Sequence, residues 1–235
     1  MCTEIWARTR AVLFDLDGVL TPTDRIHEAA WEQTLRPYLD DHGLAPYTGH
    51  DYDAYVNGRP RLDGIRAVLE ARGVHPDERT VTDLGDAKNA AFLRILATDG
   101  SDTYPDAMDM LAFVRGRGLK TAVVSSSANA TAVLAAAGIL EQFDLIVSGV
   151  TAREEHLTGK PAPDPYAYAA RHLGLDPSQT AVIEDAAAGV TSGEAAGATV
   201  VGIDRGAGRE ALTRAGAHIV VDNLRELIPE AADAS

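Results

Sequence analysis

Six short apolar runs, at residues 11–14, 121–125, 145–148, 181–184, 199–203 and 218–221, recur along the 235-residue chain. Between most of them lie stretches with helical spacing: Met108/Leu111/Ala112, Val133/Leu134/Ala137, Tyr166/Ala169/Ala170/Leu173, and an Ala/Gly-rich segment from 187 to 198. Strand-like runs alternating with amphipathic helices predict βαβ units with right-handed crossovers. The fold class this implies is α/β, a doubly wound parallel sheet. Gly138, Gly174 and Gly197 follow apolar helical stretches, where a left-handed residue commonly ends a helix.

The interval from about 24 to 100 breaks the rhythm. It contains no strand-like run and reads as several helices. Trp31, Leu35, Tyr38 and Leu39 form one stripe, Ile65, Val68 and Leu69 a second, and Ala90, Leu93 and Leu96/Ala97 a third. An all-helical block inserted after the first strand predicts a separate small domain over 24–99, with the core made of 1–23 and 100–235 and hinges near Thr21–Asp24 and Thr98–Tyr104.

Four polar residues fall at or after the ends of the apolar runs. Asp15 ends Ala11-Val12-Leu13-Phe14, Ser125 ends Thr121-Ala122-Val123-Val124, Lys160 follows the run at 145–148 after a polar loop, and Asp185 ends Ala181-Val182-Ile183-Glu184. Ligands of open parallel sheets bind outside the carboxyl ends of the strands, so these residues are predicted to converge on one crevice. In Asp15-Leu16-Asp17-Gly18, two carboxylates can divide labour: one attacks phosphorus, the other moves the proton of the leaving or entering oxygen. Gly18 lets the backbone turn sharply beside the ligand. Ser125 can donate to a phosphoryl oxygen, and Asn129 is placed to cap the helix that begins there. The Lys160 ammonium, in Gly159-Lys160-Pro161-Ala162-Pro163, can neutralise the attacking carboxylate and the phosphoryl oxygens. Glu184-Asp185 at a buried strand end calls for a cation, and oxygen-only ligands without a His or Cys cluster point to Mg²⁺. Arg59-Pro60-Arg61 puts two guanidiniums in a stiff loop suited to bidentate phosphate binding.

The four motifs, in this order, resemble those of the haloacid dehalogenase-type phosphotransferases, and within them the β-phosphoglucomutase group. The resemblance implies a Rossmann-like core with a helical cap inserted between the first and second motifs. It implies an aspartyl phosphate at Asp15, acid–base work by Asp17, and catalytic support from Ser125 and Lys160. Magnesium would be held by the Asp15 side chain, the Asp17 carbonyl and Asp185, with Glu184 as a ligand or just behind the ligands. In the cap, Thr23, His27 and Trp31 fall where the mutases carry a hinge threonine, a substrate-sensing histidine and a packing tryptophan. Gly58 and Arg61 resemble the loop that grips the phosphate not being transferred, and Lys88-Asn89 the pair that meets the sugar. Ser127 and Asn129 stand beside Ala128, which occupies the place of the mutases' distal-phosphate lysine. Pro22, Ala186 and Ala187 are further departures.

The reaction this implies converts β-glucose 1-phosphate to glucose 6-phosphate through a bisphosphate. A sugar-phosphate phosphatase, with Asp17 activating water, remains open on the same core residues. A phosphosugar-binding module without catalysis is disfavoured by the presence of both Asp15 and Asp17. A net charge of −14 argues against sequence-independent nucleic-acid binding. The single cysteine, Cys2, excludes an internal disulfide, and no run approaches membrane-spanning length. Cytoplasm is the expected location, a monomer the expected state, and a small phosphorylated sugar the expected partner. Two lookalikes are set aside: Gly159-Lys160 is followed by Pro161 and is no Walker loop, and Gly206-Ala207-Gly208 lacks the acidic partner of a dinucleotide site.

Overall fold

The computed structural model describes residues 2–56 and 61–229. The chain folds into two compact units, one of Met1–Pro22 with Ser101–Ser235, the other of Thr23–Gly100. Thr23 and Gly100, which the sequence pattern leaves with the core, group with the helical unit.

The first unit holds six strands: β1 Ala11–Phe14, β2 Lys120–Val124, β3 Leu145–Val147, β4 Thr180–Glu184, β5 Thr199–Ile203 and β6 Ile219–Val221. All pair in parallel, in the order β3-β2-β1-β4-β5-β6. β1 and β4 are fully buried, as expected of strands covered by helices on both faces. The strand order reverses at β1, which pairs on one side with β2 (Phe14 with Val123) and on the other with β4 (Phe14 with Ile183). That switch point is where the carboxyl ends of neighbouring strands diverge and leave a crevice.

Helices Pro105–Gly116, Ala130–Ala136, Asp164–His172, Ala187–Ala196 and Arg209–Arg214 connect or flank the strands. Gly138, Gly174 and Gly197 all have positive φ just past helix ends, the conformation glycine adopts at no steric cost. The Gly206–Gly208 segment is a connecting turn whose amides donate to Asp204 Oδ1 at 2.9 and 3.0 Å. A short helix, Cys2–Arg8, packs on the core through Trp6, whose indole N–H donates to the Leu227 carbonyl at 2.8 Å and whose ring meets Phe113 edge-on at 5.3 Å.

The second unit is helical: Asp24–Asp41, Gly49–Asp51 running into a wider turn Tyr52–Val56, Arg61–Glu70 and Glu78–Asp99. Trp31, Leu35 and Leu39 pack with Ile65, Val68, Leu69, Val81 and Leu84. The stripe expected on the last helix is displaced: Leu93 is exposed, as are Ala90 and Ala97. The buried face runs through Val81, Leu84, Gly85, Lys88, Ala91, Phe92 and Leu96. A lysine on that face breaks the apolar period, which is why the sequence pattern points one position away. Among the described residues, no helix is long and apolar enough to cross a membrane.

Candidate active site

The crevice at the carboxyl ends of β1, β2 and β4 gathers the four strand-end residues. The Asp15 amide continues the β1–β4 ladder by donating to Ile183 O at 3.0 Å, and the Ser125 amide donates to Val147 O at 2.9 Å. Both side chains are buried at these ends. Ser125 Oγ accepts the Ser127 amide at 3.0 Å, which leaves its hydroxyl proton for another acceptor.

Lys160 reaches into the crevice from the loop before helix Asp164–His172. That loop is fixed by the Thr158 amide on Asp164 Oδ2 (2.9 Å), the Ala162 amide on Gly159 O (3.0 Å), and Ser192 Oγ donating to Ala162 O (2.6 Å). The Lys160–Pro161 peptide is cis. Lys160 Nζ donates to Asp15 Oδ1 at 2.5 Å, Glu184 Oε1 at 2.7 Å and Val124 O at 2.9 Å, so one ammonium ties together the ends of β1, β2 and β4. Its three donors are thereby used.

Glu184 accepts four hydrogen bonds. Oε1 takes Lys160 and the Tyr166 hydroxyl (2.8 Å), and Oε2 takes the amides of Asp185 (3.1 Å) and Ala186 (3.2 Å). Tyr166, on the apolar face of its helix, is a site residue the sequence reading missed: its spacing is that of a core position, and only the fold reveals what its hydroxyl meets.

Burial raises the Asp15 carboxyl to about 8 against the pull of Lys160, with Glu184 and Asp17 adding to the rise. Burial works against the charge on Lys160, yet Asp15 and Glu184 hold its ammonium well above the ordinary lysine value. Within the site, burial opposes ionisation of Asp15 and the Lys160 ammonium favours it.

Asp15, Glu184 and Asp185 each offer a carboxylate oxygen within 4.8 Å of the others. The Asp17 carboxylate is not part of that group; the resemblance implies a ligand role for its backbone carbonyl instead. All donors are hard oxygens, the set that suits Mg²⁺ or Ca²⁺ and not zinc. Two glycines make room for the acids. A Cβ on Gly18 (φ +82°) would lie 2.0 Å from Asp185 Oδ2, and one on Gly189 would lie 1.6 Å from Glu184 Oε1. Gly189 carries no signal of its own in the sequence beyond the small-residue bias of 187–198.

The turn after β1 is tight. Leu20 and Thr21 amides donate to Leu16 O at 2.9 and 3.1 Å, and the Gly18 amide to Thr21 O at 2.9 Å. In the loop after β2, the Asn129 amide donates to Ser127 Oγ at 3.1 Å and the Gly149 amide to Ser127 O at 3.0 Å. Asn129 is the residue just before helix Ala130–Ala136, in the capping position, but its side chain makes no capping bond, contrary to expectation. Its φ of −97° and ψ of 8° are not the extended geometry from which a side chain reaches the following amides.

The helical unit gathers its own polar group about helix Glu78–Asp99. Lys88 is buried, with Nζ 2.7 Å from His27 Nδ1 and 5.2 and 5.0 Å from the ring centres of Trp31 and Phe92. His27 stacks on Phe92 at 4.4 Å. Arg61 Nη1 donates to Asn89 Oδ1 at 2.7 Å, one residue along from Lys88. Thr23 begins helix Asp24–Asp41, its carbonyl accepting the Ile26 and His27 amides, both at 2.9 Å. Gly58, with Arg59 and Pro60, lies outside the described residues.

Comparison with known proteins agrees with this architecture. The haloacid dehalogenase-like hydrolase family profile matches residues 9–197. The chain is 43% identical to a β-phosphoglucomutase of Mycobacterium bovis over 94% of this chain and 92% of that one. It is 30% identical to hexitol phosphatase A of Escherichia coli, covering 84% of each. The crystal structure of β-phosphoglucomutase from Clostridium difficile superposes with a TM-score of 0.77 at 26% identity, covering 93% of both chains. The chain belongs to the haloacid dehalogenase-like hydrolases, in their β-phosphoglucomutase-like group, and is an enzyme of phosphoryl transfer.

Proposed function

We propose that this enzyme is a Mg²⁺-dependent sugar-phosphate mutase that interconverts β-glucose 1-phosphate and glucose 6-phosphate through an aspartyl phosphate and a bisphosphate. The observation that carries the chemistry is the Lys160 ammonium bridging Asp15 and Glu184 at 2.5 and 2.7 Å. Asp15, at the switch point, is the nucleophile. Asp17 protonates the departing sugar oxygen and then takes the proton of the hydroxyl that attacks phospho-Asp15, so a single carboxyl serves both half-reactions. Ser125 donates to a phosphoryl oxygen, and Lys160 offsets the charge that builds on the phosphoryl group.

Asp15, Asp185 and the Asp17 carbonyl are the ligands assigned to Mg²⁺, a charge that when bound neutralises the phosphoryl oxygens. Glu184 has both oxygens engaged by four donors, which favours a role in holding Lys160 over direct ligation. Core and cap are the names we give the two units, Met1–Pro22 with Ser101–Ser235 and Thr23–Gly100.

The mutase reading rests on the helical unit and on the identity to the mycobacterial β-phosphoglucomutase. A bisphosphate must be held in two orientations, which requires a second anion site. Arg61, with Gly58, is assigned the phosphate that stays; Lys88, His27 and Trp31 the sugar; Thr23 the hinge; Ser127 and Asn129 the distal phosphate. An aspartyl phosphate left wet hydrolyses, so the mutase must also exclude water. We assign the protein to the cytoplasm as a monomer acting on a small phosphorylated sugar.

The second reading, a sugar-phosphate phosphatase, is favoured by Ala128 and by the similarity to a hexitol phosphatase. The experiment is to supply Mg²⁺, β-glucose 1-phosphate and a trace of the 1,6-bisphosphate. Glucose 6-phosphate without matching inorganic phosphate supports the mutase; inorganic phosphate as the main product supports the phosphatase.

A further inference from the structure

Arg205, just beyond the end of β5, belongs to none of the motifs above. Its Nη2 donates to Asp106 Oδ1 at 2.8 Å and its guanidinium carbon lies 4.0 Å from the Tyr104 ring centre. Asp106 is itself buried, its other oxygen taking the Leu224 amide at 2.9 Å. The Tyr104 amide donates to Leu20 O at 2.9 Å. A charge-assisted bond at one edge and a ring against the face set the guanidinium plane. Its Nε is aimed at the Gly18 carbonyl, 3.4 Å away.

Gly18 must be glycine, because its φ is +82° and a Cβ would meet Asp185 Oδ2 at 2.0 Å. That requirement places the most pliant residue type next to Asp17, the proposed acid–base. The Gly18 amide is already tied to Thr21 O at 2.9 Å. A contact at its carbonyl adds a second restraint on the residue that follows Asp17.

We infer that Arg205 is a positioning residue for Asp17, acting through the Gly18 carbonyl and held in register by Asp106 and Tyr104. The inference rests on the proposed acid–base role of Asp17. Proton delivery to a poor leaving group needs a well-aimed acid, whereas a good leaving group departs without one.

The test measures formation of phospho-Asp15 in single turnovers from two donors: glucose 1,6-bisphosphate, whose sugar oxygen must be protonated, and acetyl phosphate, whose acetate need not be. Asp17→Ala is the reference. Arg205→Lys keeps a cation for Asp106 but cannot also aim an Nε donor at Gly18. Arg205→Lys is expected to slow transfer from the bisphosphate at least about tenfold more than transfer from acetyl phosphate, within the ~10²–10⁴-fold span of acid–base catalysis. Asp106→Asn, whose single oxygen can serve Arg205 but not the Leu224 amide as well, should show a smaller selective loss in the same direction. Equal slowing of both donors in the two variants, or no slowing, overturns the inference while a selective Asp17→Ala keeps the underlying reading. Absence of donor selectivity in Asp17→Ala itself overturns both.

Discussion

Gly189 and Glu184 occupy a space that admits only a hydrogen: a Cβ at 189 would sit 1.6 Å from Glu184 Oε1 and 1.9 Å from its carboxyl carbon. Glu184 orients Lys160, and Lys160 orients Asp15. Gly189→Ala should displace Glu184, at about 1–3 kcal/mol of stability for an overpacked site, and lower kcat with it. Gly116→Ala is the comparison, because nothing lies within 4 Å of a Cβ there. It should be neutral or stabilising by up to about 1 kcal/mol. Thermal unfolding and turnover of both variants check the pair.

Lys160→Met removes the charge shared by two buried carboxylates. Its kcat should fall by about 10²–10³-fold, the range for losing one preorganised electrostatic partner. Tyr166→Phe takes one of four donors from Glu184 and should cost far less, about tenfold or under, since a net hydrogen bond contributes ~0.5–1.5 kcal/mol. Steady-state kinetics on the two variants decide whether the lysine outranks the tyrosine.

Metal binding should be linked to protons. Burial holds the Asp15 carboxyl up at about 8, so near neutrality a divalent cation must displace a proton to use it. Titration calorimetry with Mg²⁺ in buffers of differing ionisation enthalpy should report proton release at about pH 7, with affinity rising toward about pH 8. Asp185→Asn should weaken Mg²⁺ binding, and chelation should abolish turnover.

Asp106 supplies the acid-stability prediction. Burial pushes its carboxyl up, but the Arg205 hydrogen bond and the Leu224 amide outweigh it and leave the group below its ordinary 3.8. A depressed native value stabilises the fold fully above the unfolded value and loses that contribution as pH falls through the folded one. Asp106→Asn should therefore be less stable than the parent near pH 7, with the gap closing below about pH 4. A gap unchanged on acidification would contradict this.

Arg61→Ala should impair the mutase reaction more than hydrolysis of a generic phosphate ester. Equal loss in both assays would remove the distal anion site from the account.

The strands and the strand-end residues were legible because β-branched apolar runs and the chemistry at their ends are both written locally. Strand order was not, since every parallel strand here has the same apolar composition. Lys88 concealed the true stripe of its helix by placing a charge on the buried face. Tyr166 reads as a core residue and Arg205 as a loop arginine, because their partners, Glu184 and Gly18, are 18 and 187 positions away in sequence. The Trp6 helix, seven residues long, is too short to show a period. It is recognisable only once its indole meets Leu227.

The central claim is that a single carboxylate becomes a phosphate ester. Enzyme mixed with Mg²⁺ and the bisphosphate, quenched in acid and mapped by peptide mass spectrometry, tests it directly. The account predicts one phosphate on the peptide bearing Asp15, absent in Asp15→Asn together with turnover. A phosphate on another side chain, or an Asp15→Asn enzyme that still turns over, would contradict it.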